Sequence, residues 1–234
     1  MQAGRADQLW TLVIPVRDPR TGKSRLGASE QLNTAIAADT VSAALDCPDV
    51  GQVTLVTDEV CWIPPELSSH SRCTVILQEA PSSVGDHTHS RLNAAISQGI
   101  KEAERSGSPP AAVAVLLGDI PALDPAELSS ALHAARGVER GMVSDFWGSG
   151  TTLITTLDTV EAPHRLQFGP GSADRHRAAG YLELPVPATS SLRRDVDTAE
   201  DLRAVHPGLG AESRAVLNQG PRTGPSSSKK AEVA

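Results

Sequence analysis

The stretch AAVAVLL, residues 111–117, constrains this chain more than any other. It is an unbroken apolar run between Pro109-Pro110 and Gly118-Asp119, so it has no polar face to turn toward water. A strand of this kind must be covered on both sides, which is the condition of an inner strand in a parallel sheet flanked by helices. Shorter apolar runs at Trp10–Val16, Val53–Thr57 and Cys73–Leu77 read as further strands. Between them lie helical patterns. Ser29–Leu45 carries Leu32, Ile36, Val41 and Leu45 near one stripe, with Ser29 placed to cap it, and Leu92–Ala103 and Pro125–Ala135 follow. The alternation predicts a single-domain α/β fold with a mainly parallel central sheet flanked by helices. Gly141–Ser144, Thr151–Thr155 and Tyr181–Val186 read as later strands, and Thr198–Val205 as a last helix that Asp197-Thr198 can cap.

The ends read differently. Residues 1–8 are polar and are expected to be flexible. The domain is expected over 9–206, and from Pro207 the apolar period is lost. The 207–234 tail, ending GPRTGPSSSKKAEVA, is Gly/Pro/Ser-rich, so disorder is expected from about residue 210 onward. A formal net charge of -7 argues against a general nucleic-acid surface. Cations gather locally instead, in the loop after the first strand (Arg17, Arg20, Lys23, Arg25) and at Arg193-Arg194. That pattern predicts a small anionic ligand rather than a polymer. Cys47, Cys61 and Cys73 form no metal-binding or redox motif. No segment reaches the ~20 apolar residues of a membrane span, and the N-terminus has no signal-peptide core. A cytoplasmic protein without a membrane partner is expected.

Four clusters could carry chemistry. The loop in LVIPVRDPRTGKSRL leaves a buried strand and precedes a helix, a good place to hold phosphate. Asp119 follows the most buried strand, where ligands of open α/β sheets bind. A carboxylate there can hold a divalent cation, or it can cap the next helix. Of Asp195 and Asp197, two apart in RRDVDTAEDL, only one is expected to reach the same site as Asp119. In DFWGSGTT (145–152) the glycines permit close approach and Thr151 and Thr152 offer hydroxyls, although a plain turn reads the same way. In FGPGSADRH (168–176), Gly169, Gly171 and Ser172 open a helix whose positive end suits an acid, and His176 sits one turn inside. Cationic and acidic loops that converge on a metal point to phosphoryl or nucleotidyl transfer. No P-loop, GxSxG or HExxH motif is present.

Taken in order, IPVRDPRTGKSRL, RLNAAI, LLGDIPAL, GSGTT, FGPGSADRHRAAG and RRDVDTAEDL resemble the guanylyltransferases that make the deazaflavin coenzyme F-420, acting on 2-phospho-L-lactate or phosphoenolpyruvate. The resemblance covers about residues 10–206. It implies a nucleotidyltransferase fold of the glycosyltransferase-A type, with a Rossmann-like sheet. It also implies GMP transfer from GTP to a three-carbon phospho-acid, with pyrophosphate released and Mg²⁺ as cofactor. Carried over by position, Arg17, Lys23 and Arg25 resemble the triphosphate-binding residues, Lys23 and Arg25 acting in catalysis. Asn93 resembles the border of the guanine pocket. Asp119 with Asp197 or Asp195 resembles the metal ligands, Asp197 being favoured because it precedes a Thr. Thr151, Gly169 and Ser172 resemble the residues that hold the acid. Arg91 stands where the family usually has Gly, and Ser149 replaces the first Thr of GTGT. Phosphoenolpyruvate is the expected acceptor, with 2-phospho-L-lactate or 3-phosphoglycerate as alternatives, and the product is expected to pass to the next enzyme of the pathway. A nucleotide-sugar glycosyltransferase and a non-catalytic GTP-binding protein of the same fold are the competing readings.

Overall fold

The computed structural model describes residues 8–18, 29–79, 88–105, 112–157 and 164–219. Strand β1 (Trp10–Val16) is followed by helix α1 (Glu30–Asp46), β2 (Val50–Thr57), the single turn α2 (Pro65–Ser68) and β3 (Cys73–Leu77). Next come α3 (Thr88–Arg105), β4 (Ala112–Leu116), α4 (Pro125–Ala135), β5 (Arg140–Ser144) and β6 (Thr151–Leu157). The chain continues through α5 (Ser172–Ala178), β7 (Leu182–Glu183), α6 (Ala199–Val205) and α7 (Ala211–Asn218). Among the described residues the strands form one sheet in the order β3-β2-β1-β4-β6-β5-β7. Strand β6 runs antiparallel to both neighbours, and the remaining pairs are parallel.

The apolar run over β4 behaves as its composition requires. Every residue from Ala112 to Leu116 is buried, between β1 and β6. The period of two sorts its side chains into two layers. Ala114 and Leu116 join Leu12 and Ile14 of β1 in the core against α1 and α4. Val113 and Val115 join Val13 and Val56 against Ile96 and Ile100 of α3. Helix α3 sits close because Gly99 faces the sheet. A Cβ there would lie 2.5 Å from Val13 Cγ1 and 2.7 Å from Val56 Cγ2.

Ser29 caps α1 as expected, accepting from Leu32 N at 3.2 Å. Helix α1 is buried on two sides. Ala37, Ala38 and Val41 face the sheet, while Leu32 and Ile36 pack on Val196, Val205 and Leu209. That second contact corrects two expectations about the C-terminal end. Neither a domain end at 206 nor disorder from about residue 210 holds, because α7 forms over 211–218 and packs on α1. Its first amides are held by Asp39 of α1, with Glu212 N 3.0 Å from Oδ1 and Ser213 N 2.8 Å from Oδ2. Residues 220–234, like 1–7, lie outside the described residues. The expected strand at Tyr181–Val186 is only the two-residue β7. Leu184 N still reaches Met142 O at 2.8 Å, but Pro185 and Pro187 have no N–H to continue a ladder.

Candidate active site

Strands β1 and β4 exit at one end of the sheet, and β6, being antiparallel to β4, enters at that same end. Their termini therefore bring Arg17, Asp119 and Thr151 to one rim without any long loop. Two hydrogen bonds draw the 193–197 segment across it. Val196 N donates to Asp119 O (2.9 Å), and Phe146 N donates to Arg193 O (2.7 Å). Arg193 itself is clamped, its guanidinium donating to Ser144 O (2.9 Å), Ser144 Oγ (2.7 Å) and Val186 O (3.0 Å). The result is a cleft of about 670 Å³. Its walls include Arg17, Asp119, Asp145, Thr151, Gly169, Ser172, Asp195 and Asp197, together with Gln78 and Arg91.

The acidic side differs from expectation in one respect. Asp195 and Asp197 both line the cleft, where only one was expected to. The reason is local. Residues two apart on extended backbone share a face, and Val196 between them turns the other way, into the core beside Leu32 and Ile36. Nor is Asp197 the cap of α6. Thr198 takes that place in a capping box with Asp201, Thr198 Oγ1 accepting from Asp201 N at 3.2 Å. Asp119 is likewise not the cap of α4, a role filled by Asp124 through Ala126 N at 2.8 Å. Burial first, and then the charges of Asp119, Asp197 and Asp145, push the Asp195 carboxyl up to about 7.

The opposite wall is built from hydroxyls and tight turns. Asp145 accepts from Ser149 N (2.9 Å) and Gly150 N (2.8 Å), fixing the loop before β6. Gly150 is needed there, since a Cβ would sit 2.5 Å from Asp145 Oδ2. The turn and the cleft wall are thus the same object. Ser149 O holds Ala173 N at 3.1 Å and docks α5, which brings Ser172 Oγ to 3.2 Å from Thr151 Oγ1. Thr151 Oγ1 is also 3.0 Å from His176 Nδ1.

The sequence-predicted residues divide into three groups. Asp119, Asp195, Asp197, Thr151, Gly169, Ser172 and Arg17 are brought together. Asn93 is placed one layer back. Its amide clamps the backbone of Phe168, with Nδ2 donating to Phe168 O and Oδ1 accepting from Phe168 N, both at 3.1 Å. It positions the loop holding Gly169, and it is not among the residues that line the cleft. Lys23 and Arg25 lie outside the described residues. Sequence reasoning missed Asp145 and Gln78 as cleft residues. Asp145 had a signal, being an acid five residues before a glycine in a turn-rich segment, whereas Gln78 had none. Arg91 reaches the cleft while making a 3.8 Å ion pair with Asp58, whose Oδ1 accepts from Asp18 N at 2.5 Å.

No three His, Cys, Asp or Glu side chains among the described residues converge into a preformed metal cage. The donor set still fits a hard cation. Asp119 and Asp195 are oxygen donors close enough to repel one another, and Mg²⁺ is commonly bound by one or two carboxylates with substrate phosphates completing its shell.

No protein-family model matches the chain. Solved structures share its fold at low identity. A nucleotidyl transferase from Methanothermobacter has a TM-score of 0.53 and 16% identity, covering 90% of this chain and 99% of its own. The 4-diphosphocytidyl-2C-methyl-D-erythritol synthase of Anaerococcus prevotii has a TM-score of 0.52 and 9% identity, covering 93% and 100%. Sequence relatives are much nearer. The phosphoenolpyruvate guanylyltransferase of Thermomonospora curvata is 40% identical over 223 residues, 93% of this chain and 88% of that protein. That of Streptomyces coelicolor is 41% identical over 215 residues, 88% and 95%. The motifs that converge on the cleft, the nucleotidyltransferase fold around it and this depth of identity agree: the chain belongs to the phosphoenolpyruvate guanylyltransferase family.

Proposed function

We propose that this chain transfers GMP from GTP to the phosphate of phosphoenolpyruvate, releasing pyrophosphate. The observation that carries the reading is that Asp119 and Asp195 line the same cleft as the hydroxyls of Thr151 and Ser172. One wall offers oxygen acceptors and the other offers donors, which suits two phosphorylated substrates meeting across a cation. The acceptor's phosphate oxygen is already ionised at neutral pH, so no general base is required. It attacks the α-phosphorus of GTP. The new P–O bond forms as the bond to the bridging oxygen of the β-phosphate breaks, and the electron pair leaves with pyrophosphate.

Asp119 and Asp195, with Asp197 beside them, are the residues that would hold Mg²⁺. When bound, the cation neutralises charge on the phosphates of both substrates. Arg17 faces the triphosphate side, joined by Lys23 and Arg25 on the strength of the family resemblance. These cations offset the charge that builds on the leaving pyrophosphate. Thr151 and Ser172, with the Gly169 backbone, bind and orient the acid. Asn93 fixes that loop through Phe168. The catalytic unit spans residues 9–218 and acts in the cytoplasm. Its product is an activated acid for assembly of the deazaflavin coenzyme and passes to the next enzyme of that pathway.

The test is a matrix of nucleoside triphosphates against phospho-acids with Mg²⁺, read as pyrophosphate. Release with GTP and phosphoenolpyruvate together, and with neither alone, is expected. Preference for 2-phospho-L-lactate or 3-phosphoglycerate would reassign the acceptor. No release from any pair rejects the transferase, and GTP binding without turnover would leave a binding protein.

A further inference from the structure

We infer that His176 is a positioning residue that makes the Thr151–Ser172 hydroxyl pair a net hydrogen-bond donor toward the acidic substrate, by keeping its ring proton on Nδ1. The inference rests on the reading that the acid binds against these two hydroxyls.

The argument begins with a partner that has no choice. Gln167 N lies 3.1 Å from His176 Nε2, and a backbone N–H can only donate. Nε2 must therefore carry the lone pair, and in the neutral ring the proton is on Nδ1. That nitrogen lies 3.0 Å from Thr151 Oγ1, so the ring donates to the threonine. Ser172 Oγ lies 3.2 Å from the same oxygen. The two hydroxyls hold two protons between them and share one mutual bond. Because the histidine fills a lone pair of Thr151 and takes no proton from it, one hydroxyl proton is left over. Thr151 and Ser172 both line the cleft, and that proton has the cleft to point into whichever way the mutual bond runs. With the opposite tautomer, Thr151 would donate to the ring and the surplus would vanish. The pair would then have no such donor for an anion.

The ring is fixed in this arrangement. His176 is fully buried. Phe168 and Tyr181 meet its ring edge-on, with centroids at 4.9 Å and 5.2 Å. Ser172 and His176 are four residues apart on α5, so one helical face delivers both to Thr151. Burial, with Arg175 adding to it, lowers the histidine to about 4, so the ring is neutral at working pH. A charged ring would aim Nε2–H at the Gln167 N–H.

Two measurements on the full-length protein test this. In ¹⁵N-histidine-labelled protein without substrate, the resonance lost in His176→Asn should show a protonated Nδ1 and a bare Nε2. A proton on Nε2 overturns the inference, whatever the turnover. The second compares variants that each replace one ring nitrogen. Asn reaches the Nδ1 position and can still donate to Thr151, whereas Gln reaches the Nε2 position and serves Gln167 instead. His176→Asn should keep the KM for phosphoenolpyruvate within about threefold of the parent, and His176→Gln should raise it about tenfold or more, because Thr151 Oγ1 then loses the donor that fills its lone pair and turns its own proton toward the acid. The KM for GTP should not move in either. Equal effects of the two variants, or parallel changes in both KM values, mark a merely structural histidine and overturn the inference. Parent protein that transfers no GMP defeats the functional reading instead, and the tautomer measurement still decides the proton's place.

Discussion

Replacing Asp195 by Asn should stabilise the cation-free protein, and by an amount that depends on pH in a defined direction. Asp195 has a folded-state pKa near 7 against 3.8 for the ordinary side chain, because burial and three neighbouring carboxylates oppose its charge. A raised acid pKa means that the folded protein keeps a proton the unfolded chain has already released. The stability this contributes is complete below about pH 3.8 and is lost as pH rises through 7. At 1.36 kcal/mol per pH unit, the whole loss is at most about 4 kcal/mol. Asn carries no charge at any pH, so the gap between variant and parent should widen by about 3 kcal/mol from pH 5 to pH 8. For a chain of this size that is a change of roughly 8 °C in the melting-temperature difference. The assay is a series of thermal melts in chelator across that range, repeated with Mg²⁺. Added Mg²⁺ should close most of the gap at the alkaline end, since it replaces the missing proton as the counter-charge. A gap equally wide at pH 5 and pH 8 would refute the reasoning, because carboxylate crowding could not then be its source.

Other expectations are independent of that one. His164 and His176 are both lowered to about 4 by burial, so their contribution to stability is full above 6.5 and lost as pH falls through 4. The unfolding free energy from urea denaturation should drop over that window by up to about 3 kcal/mol per histidine, and a flat profile would contradict their neutrality. Gly99→Ala pushes a methyl into Val13 and Val56 beneath α3, and should cost about 1–3 kcal/mol in chemical denaturation; no loss would mean that α3 is free to lift. Asp119→Ala should lower the kcat for GMP transfer by a factor of about 100 or more while the melting curve stays cooperative. Near-parent turnover would remove Asp119 from the site.

The central strand was legible because β4 has a single possible environment, and the helices beside it because their apolar spacing is regular. The cleft was legible at Asp119 and Thr151 because both lie at strand termini, where topology alone decides position. The expectation failed at 195–197 because residues two apart share a face, so Asp195 and Asp197 reach the cleft together while Val196 is buried. Asn93 shows another limit. Its motif marked it as near the site, but only the fold reveals that its amide holds Phe168. His176 was visible as a histidine one turn into a helix. Its partners Thr151 and Gln167 come from different elements, so no local pattern encoded what it does. Helix α7 was missed because its anchor, Asp39, lies in the first helix and nothing local announces it.

That anchor also sets the order in which a growing polypeptide can finish itself. Helix α1 and its strands are synthesised early, but Leu32 and Ile36 stay uncovered until Val196, Val205 and Leu209 arrive. Asp39 then waits for the amides of Glu212 and Ser213, more than 170 positions later. An unfinished chain therefore carries an apolar stripe and a bare carboxylate on the outer side of its first helix. The period of greatest exposure to aggregation, or to a chaperone, is written into α1 and lasts until the last helix closes over it.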